Sequence, residues 1–186
     1  MLIKKIWIFK KHNVNVSINM SSNLKLASGI APIYSYMQRG ISLSLGTDSV
    51  ASNNRLDMFK EMFLASTSQK VLLNDARILE PKDVILMATR GGAKALYLED
   101  KIGQLKKGYQ ADIIRISISD PHWHPHTDLV SHLVYSAMYS DVVMTMVAGR
   151  VLYENGTYYI GRPIEKIYTE CEKAIQEILE KANMKN

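Results

Sequence analysis

The sequence is poor in cysteine and has no long apolar run. Cys171 is the one cysteine among 186 residues, so an internal disulfide is excluded and a reducing, cytoplasmic setting is expected. No apolar run approaches the roughly 20 residues that cross a bilayer, so we expect no membrane partner. The first nine residues resemble a signal peptide only superficially, because their apolar part is short and no small-residue cleavage site follows. We therefore interpret residues 1–12 as an atypical N-terminal start.

Signals for nucleotide or nucleic-acid binding are also missing. The glycines at 91–92 and 103–108 match neither phosphate-loop nor dinucleotide-binding spacing. The net charge of +5 arises largely from lysines near the start, and elsewhere the two signs are mixed, which argues against a nucleic-acid partner. Apolar residues make up 47% and charged residues 22% of the chain, as in ordinary soluble globular proteins.

The first half of the chain alternates between strand and helix patterns. Apolar residues recur at every second position over 14–18 and 41–45, which predicts two strands. Asn53 or Asn54 is expected to cap a helix that runs through Ser66. Pro81 is expected in the first turn of another helix, over 82–89. Short helices are also predicted over residues 33–39 and 93–98.

The second half, from about residue 102, is richer in strand patterns. Strands are predicted over 112–118, 142–148 and 150–153, and Asn155-Gly156 is typical of a type I′ turn. Pro163 begins a C-terminal helix whose apolar residues fall on one stripe. We expect this stripe, with Cys171 on it, to pack in the core, a partner interface being the alternative.

The turn that ends in Asp48 carries the clearest chemical signal. An apolar strand leads into Gly46-Thr47-Asp48, and a polar, cap-rich turn follows. Catalytic groups of (β/α)₈ enzymes lie at the C-terminal ends of barrel strands, so Asp48 is a candidate catalytic residue. The alternative is an aspartate that only caps a helix or closes a turn.

The histidines give a weaker signal. In a strand, His122 and His124 would share one face and could reach one ion, with His126 nearby. The prolines among them favour a loop, and no acid or cysteine supplies an obvious further ligand. A plain loop is therefore expected, adventitious surface metal binding comes second, and a catalytic metal site third. His12 and His132 are isolated, and each is expected to be structural or exposed.

Several motifs follow one another along the chain. They lie at 19–32, 40, 45–54, 88–96, 102–103, 107–108, 111–113 and 147–150. In this order they resemble the amidohydrolase superfamily, and within it the branch of 5-methylthioadenosine/S-adenosylhomocysteine deaminases and related chlorohydrolases. The resemblance covers roughly residues 13–160.

The resemblance implies an α/β fold, the C-terminal portion of a metal-dependent (β/α)₈ barrel. Residues 13–101 would form a partial barrel, with 14–18 as strand seven and 41–45 as strand eight. Residues 102–162 would form part of a small β-sandwich, and residues 163–186 the C-terminal helix.

The same resemblance implies a hydrolase that acts on non-peptide C–N bonds. Its reaction would be hydrolytic deamination of a small adenine-type nucleoside with Zn²⁺ or another divalent metal. Asp48 matches the strand-eight aspartate, which binds the metal and takes a proton from the metal-bound water. The other metal-binding histidines of the family, and its catalytic glutamate, cannot be placed in this sequence. Departures also occur at Ile18, Met20 and Arg90, where the family more often has histidine, proline and an apolar residue.

Length agrees with an incomplete barrel. A (β/α)₈ barrel needs about 250 residues, and residues 13–101 have room for two or three βα units. The favoured hypothesis is a fragment of an amidohydrolase that is inactive alone. The alternatives are half of a split enzyme, completed by an N-terminal half from another chain, and a non-catalytic interaction module. Exposed sheet edges and apolar helix faces lead us to expect a homo-oligomer.

Overall fold

A computed structural model describes residues 2–183 of the chain, and the side chains of residues 6–182. Two parallel strands lie at the centre of the first half. The pairing joins Asn15 with Ser42 and Ile18 with Leu45, so both strands end at the same edge. The elements are α1 (Leu2–Lys11), β1 (Asn15–Ile18), α2 (Met20–Lys25), α3 (Ile33–Gln38) and β2 (Ser42–Leu45).

Helices after β2 cover these strands. They are α4 (Val50–Asn53), α5 (Met58–Leu73), α6 (Pro81–Leu86), a π-helical turn (Met87–Gly91) and α7 (Gly92–Ala95). The helix predicted to start at Asn53 or Asn54 starts later, because Asn54 adopts a left-handed conformation with φ 66° and ends α4. Asp57 caps α5 instead, and its side chain accepts a hydrogen bond from the Lys60 backbone N–H.

The second half contains an antiparallel sheet of four strands and two further helices. The elements are β3 (Ile113–Ile116), α8 (Leu129–Tyr135), β4 (Val142–Val147), β5 (Arg150–Glu154), β6 (Thr157–Tyr158) and α9 (Ile164–Asn183). The strands pair in the order β3-β4-β5-β6. Positive φ angles of 45° at Asn155 and 85° at Gly156 confirm the type I′ turn predicted there. The segment between β3 and β4 contains helix α8 and two 3₁₀ turns, Pro121–Trp123 and Tyr139–Asp141.

One hydrophobic core lies between the parallel strands and the helices that surround them. Ile18 and Leu45 point into it from the strand ends, and Phe59 and Met62 enter it from α5. Val134 of α8 belongs to the same cluster, so the helix between β3 and β4 joins the two halves of the chain. The core therefore fixes the strand ends relative to α5.

Helix α9 departs from the sequence prediction. Its stripe was expected to be buried, but Ile175 is 50% and Ile178 59% exposed, and Cys171 is exposed as well. Only Ile164 and Ile167, at the start of the helix, are half-buried. The prediction of core packing is wrong for these residues, because a helical stripe shows that one face is apolar but not that the chain supplies a covering element. None of the helices within residues 2–183 is long and apolar enough to span a bilayer.

The glycine pair that follows α6 includes one position where a side chain cannot fit. A Cβ at Gly91 would lie 2.1 Å from the backbone oxygen of Leu43 in β2. A Cβ at Gly92 would meet no atom within 4 Å. Both residues have helical backbone angles, so they differ in space and not in conformation.

Gly91 and Gly92 allow a matched test of how tightly the helical segment from the π-helical turn into α7 packs on β2. We predict that Gly91→Ala lowers the free energy of unfolding by about 1–3 kcal/mol, because the helix must move away from the strand. Gly92→Ala should raise it by about 0.5–1 kcal/mol, because alanine restricts the unfolded chain and favours helix. Urea unfolding of the two variants measures both values, and equal midpoints would contradict the packing described.

Candidate metal centre

The loops that follow β1 and β2 lie side by side. The backbone N–H of Gly46 donates to the oxygen of Ile18 at 3.0 Å, which joins the two strand ends. A Cβ at Gly46 would lie 2.6 Å from the side-chain amide of Asn19, so a larger residue would displace that side chain from between the loops. Asp48, two residues later, is exposed and adopts a left-handed backbone with φ 60°. The sequence-predicted candidate therefore projects from the edge where both strands end.

Both oxygens of the Asp48 carboxylate accept a hydrogen bond. The Ser22 hydroxyl donates to Oδ2 at 2.7 Å, and the Ser49 backbone N–H donates to Oδ1 at 2.7 Å. These two bonds, the Ser22 bond first, lower the pKa of Asp48 below its usual value. The group is therefore ionised at neutral pH, and the stability it contributes is lost as the pH falls through the lowered pKa.

The Asp48 carboxylate has the properties of a metal ligand. Each carboxylate oxygen has two lone-pair sites, so one site on each oxygen stays available beside the hydrogen bond. Zn²⁺ binds carboxylate oxygens as well as imidazole nitrogens. A catalytic zinc usually has three protein ligands, so a carboxylate at this position could provide at most part of such a site.

A buried carboxylate that the sequence reasoning missed lies beneath the two loops. Glu61 of α5 is fully buried, and it accepts bonds from the Ser21 N–H at 3.1 Å and from the Asn53 amide at 2.9 Å. The Asn53 amide also donates to the backbone oxygen of Thr47 at 2.6 Å. A sequence signal existed, because position 61 falls with Met62 and Ala65 on the apolar face of the helix.

The histidine-rich segment forms a different arrangement. The ring of His122 lies 3.0 Å from Oδ2 of Asp141, a buried acid that the sequence reasoning did not pair with it. The same oxygen accepts the Trp123 indole N–H at 3.3 Å and the Met138 N–H at 2.8 Å. Burial raises the pKa of Asp141, but the hydrogen bonds, that of His122 foremost, together hold it below the usual value.

The ligand atoms of Asp120, His122 and Asp141 lie within 4.8 Å of one another, which is close enough for one ion to contact all three. Asp48 is not part of this group. Three donors converge on Oδ2 of Asp141, whereas Oδ1 is buried without a hydrogen-bond partner in the protein. The three bonds form an anchor that ties the β3–β4 segment to the sheet. This acid corrects the expectation that no carboxylate accompanies the histidines.

The remaining histidines lie in the surroundings expected for them. His124 and His126 stack in the exposed loop after the first 3₁₀ turn, with ring centroids 4.3 Å apart. His12 is exposed, and the ring of His132 lies 3.2 Å from the backbone oxygen of Pro125. The segment predicted as a plain loop contains no strand over residues 121–128.

A comparison with models of protein families shows the family of this chain. The model of the amidohydrolase family matches residues 3–152. The chain belongs to the amidohydrolase family. This confirms the resemblance seen in the sequence.

Two curated relatives have names that refer to nucleoside deamination. The 5-methylthioadenosine/S-adenosylhomocysteine deaminase of Dictyoglomus thermophilum is 41% identical over 179 residues, which are 96% of this chain and 42% of the relative. The 5'-deoxyadenosine deaminase of Methanosarcina acetivorans is 44% identical over 178 residues, 96% of this chain and 40% of the relative. The chain thus spans about two fifths of the length of these relatives.

Two solved structures share the fold, and both contain zinc. An adenosine deaminase from Xanthomonas campestris with bound zinc has a TM-score of 0.90 and 32% identity, covering 95% of this chain and 40% of that one. The atrazine chlorohydrolase TrzN of Arthrobacter aurescens, complexed with zinc, has a TM-score of 0.82 and 25% identity, covering 90% and 37%. These neighbours support a mixed α/β, partial amidohydrolase fold and a divalent metal in the parent enzyme.

The anchor at Asp141 can be tested against the metal-site alternative. We predict that Asp141→Asn lowers the free energy of unfolding by about 2–4 kcal/mol, because the three donors lose a charged acceptor and the new NH2 group takes the buried place of Oδ1, which has no hydrogen-bond partner in the protein. Asp120→Asn, a control at an exposed acid of the same group, should change it by less than about 0.5 kcal/mol. Thermal unfolding with and without added Zn²⁺ completes the test. Stabilisation by Zn²⁺ that disappears in Asp120→Asn would favour a metal site instead.

Proposed function

We propose that this chain forms the catalytic C-terminal part of a metal-dependent amidohydrolase, with β1 and β2 as barrel strands seven and eight. The single observation that carries the proposal is Asp48, an exposed carboxylate at the edge where two parallel strands end. Catalytic groups of (β/α)₈ enzymes lie at that end of the strands. Membership of the amidohydrolase family supports this assignment.

Asp48 has two roles in the proposed site. Its ionised carboxylate would hold a divalent metal, and one of its oxygens would accept a proton from the attacking water. A divalent metal, when bound there, supplies a Lewis acid that lowers the pKa of water. Ser22 and Ser49 orient the carboxylate through the two hydrogen bonds of 2.7 Å. They also keep it deprotonated until it receives the proton of the water.

The proposed reaction is hydrolytic deamination of an adenine-type nucleoside related to S-adenosylhomocysteine or methylthioadenosine. The named deaminases are 41% and 44% identical to this chain, whereas the chlorohydrolase is 25% identical. This difference favours loss of ammonia over displacement of chloride. The products would be ammonia and the corresponding hypoxanthine nucleoside.

We propose that these 186 residues are inactive by themselves. Asp48 supplies one of the three ligands that a catalytic zinc usually has. The missing ligands would lie in the part of the relatives that the chain does not match, about three fifths of their length. That part would belong to the same polypeptide or to a second chain.

A non-catalytic interaction module is the second candidate, and the exposed apolar stripe of α9 favours it. Ile175 and Ile178 are more exposed than apolar residues of a covered helix would be. The same stripe would favour association with a second copy or with the completing half of the barrel.

Complementation tests the proposal. We expect ammonia release from S-adenosylhomocysteine, methylthioadenosine or 5'-deoxyadenosine when the chain is co-produced with the unmatched N-terminal part of the Dictyoglomus thermophilum deaminase. The chain alone should release none. In the complemented enzyme, Asp48→Ala should lower kcat by about 10³-fold or more, because it removes a metal ligand and the proton acceptor.

The exposed Asp100 provides a matched control, and Asp100→Ala should retain full turnover. Two results would refute the proposal. One is turnover by the 186-residue chain alone, and the other is near-normal activity of the complemented Asp48→Ala enzyme.

A further inference from the structure

Glu61 is a costly residue for a protein to bury. Its side chain is fully inaccessible, and the donors that contact it are a backbone N–H and a side-chain amide. A buried carboxylate held only by neutral donors is expensive compared with an apolar side chain on the same helix face. Filling the core therefore does not explain why position 61 is a glutamate.

One oxygen of Glu61 is connected to Asp48 by hydrogen bonds to the loop after β2. Oε1 accepts the Asn53 amide at 2.9 Å, and that amide also donates to the backbone oxygen of Thr47 at 2.6 Å. Thr47 directly precedes Asp48, whose φ of 60° is uncommon for a residue other than glycine, although aspartate tolerates it better than most. This contact holds the turn from the side of β2.

The other oxygen of Glu61 is connected to Asp48 by hydrogen bonds to the loop after β1. Oε2 accepts the N–H of Ser21, one of the N–H groups that the first turn of α2 leaves without a helical partner. The next residue, Ser22, is buried and donates its hydroxyl to Asp48 Oδ2 at 2.7 Å. Glu61 thus reaches Asp48 from two directions.

The hydrogen-bonded cluster of Glu61, Asn53, Ser21, Ser22 and Asp48 contains buried polar atoms that lower the stability of the fold. The hydroxyl of Ser21 and Oδ1 of Asn53 are buried without a hydrogen-bond partner in the protein. Each such atom costs stability. Gln69, equally buried on α5, bonds Tyr34 and Ala31 instead and shows what a purely structural polar residue on this helix looks like.

We propose that Glu61 is a positioning residue: through Asn53 and Thr47 on one side, and Ser21 and Ser22 on the other, it fixes the direction of the Asp48 carboxylate. Its value for catalysis depends on the proposed metal-ligand role of Asp48. The coupling between the two residues does not depend on that role, so it can be tested in the chain without metal or substrate.

The backbone N–H of Ser49 provides the readout, because it donates to Asp48 Oδ1. A short bond to a carboxylate moves the amide proton resonance downfield, and Asp48→Asn defines the position without the charged acceptor. In Glu61→Gln, the new side-chain NH2 group faces either the Ser21 N–H or the Asn53 amide, so one of the two hydrogen bonds to residue 61 is lost. The turn at Asp48 is then held by fewer hydrogen bonds. We expect the Ser49 resonance at neutral pH to move at least half of the way to its position in Asp48→Asn.

The matched control is Gln69→Leu, which removes another buried polar group of α5. It should destabilise the chain and leave the Ser49 resonance in place. An unmoved Ser49 resonance in folded Glu61→Gln would overturn the proposal. An equal displacement in Gln69→Leu would overturn it too, because the effect would then report only on general destabilisation.

A second variant keeps the test valid if Glu61→Gln does not fold. Asn53→Ala removes one of the two connections and leaves the Ser21 bond to Glu61 intact. The Ser49 resonance should then move part of the way, and an unmoved resonance would contradict the proposal. Failure here would leave the complementation result unaffected, so the two proposals can fail separately.

Discussion

The parallel pairing of β1 with β2 is the constraint on which the rest of the structure depends. It places Ile18 opposite Leu45, so the loops after the two strands leave the sheet at the same edge. An antiparallel pairing would send these loops to opposite ends. The contact between Ser22 and Asp48, 26 residues apart, follows from this register.

The polar layer beneath that edge shows a compromise between stability and a defined site. Glu61 and Asn53 are buried in a region that apolar side chains could fill more favourably. Asp48 also has a positive φ angle, which costs energy for a residue with a side chain. These features all act on one exposed carboxylate, which is consistent with a site whose geometry matters more than its contribution to folding.

Local patterns predicted much of this fold, and long-range contacts account for what they missed. Alternation gave both parallel strands to within one residue, and the Asn155-Gly156 pair gave its turn, because each depends on neighbouring residues. The partnership of His122 with Asp141 joins residues 19 apart, which spacing alone cannot reveal. The burial of α9 was predicted wrongly because an apolar stripe does not identify the surface that covers it. The amidohydrolase resemblance came from the order of motifs, whereas the support that Glu61 gives to Asp48 required the structure.

We propose above all that Asp48 is a metal ligand at the end of the second parallel strand. Anomalous diffraction at the zinc edge, from crystals of the chain complemented with the N-terminal part of a deaminase relative, tests it directly. The account predicts a zinc peak about 2.0–2.2 Å from an oxygen of the Asp48 carboxylate, the usual distance for a zinc–carboxylate bond. A zinc site in the complemented enzyme that leaves Asp48 uncoordinated, or one formed by His122 and Asp141, would contradict it.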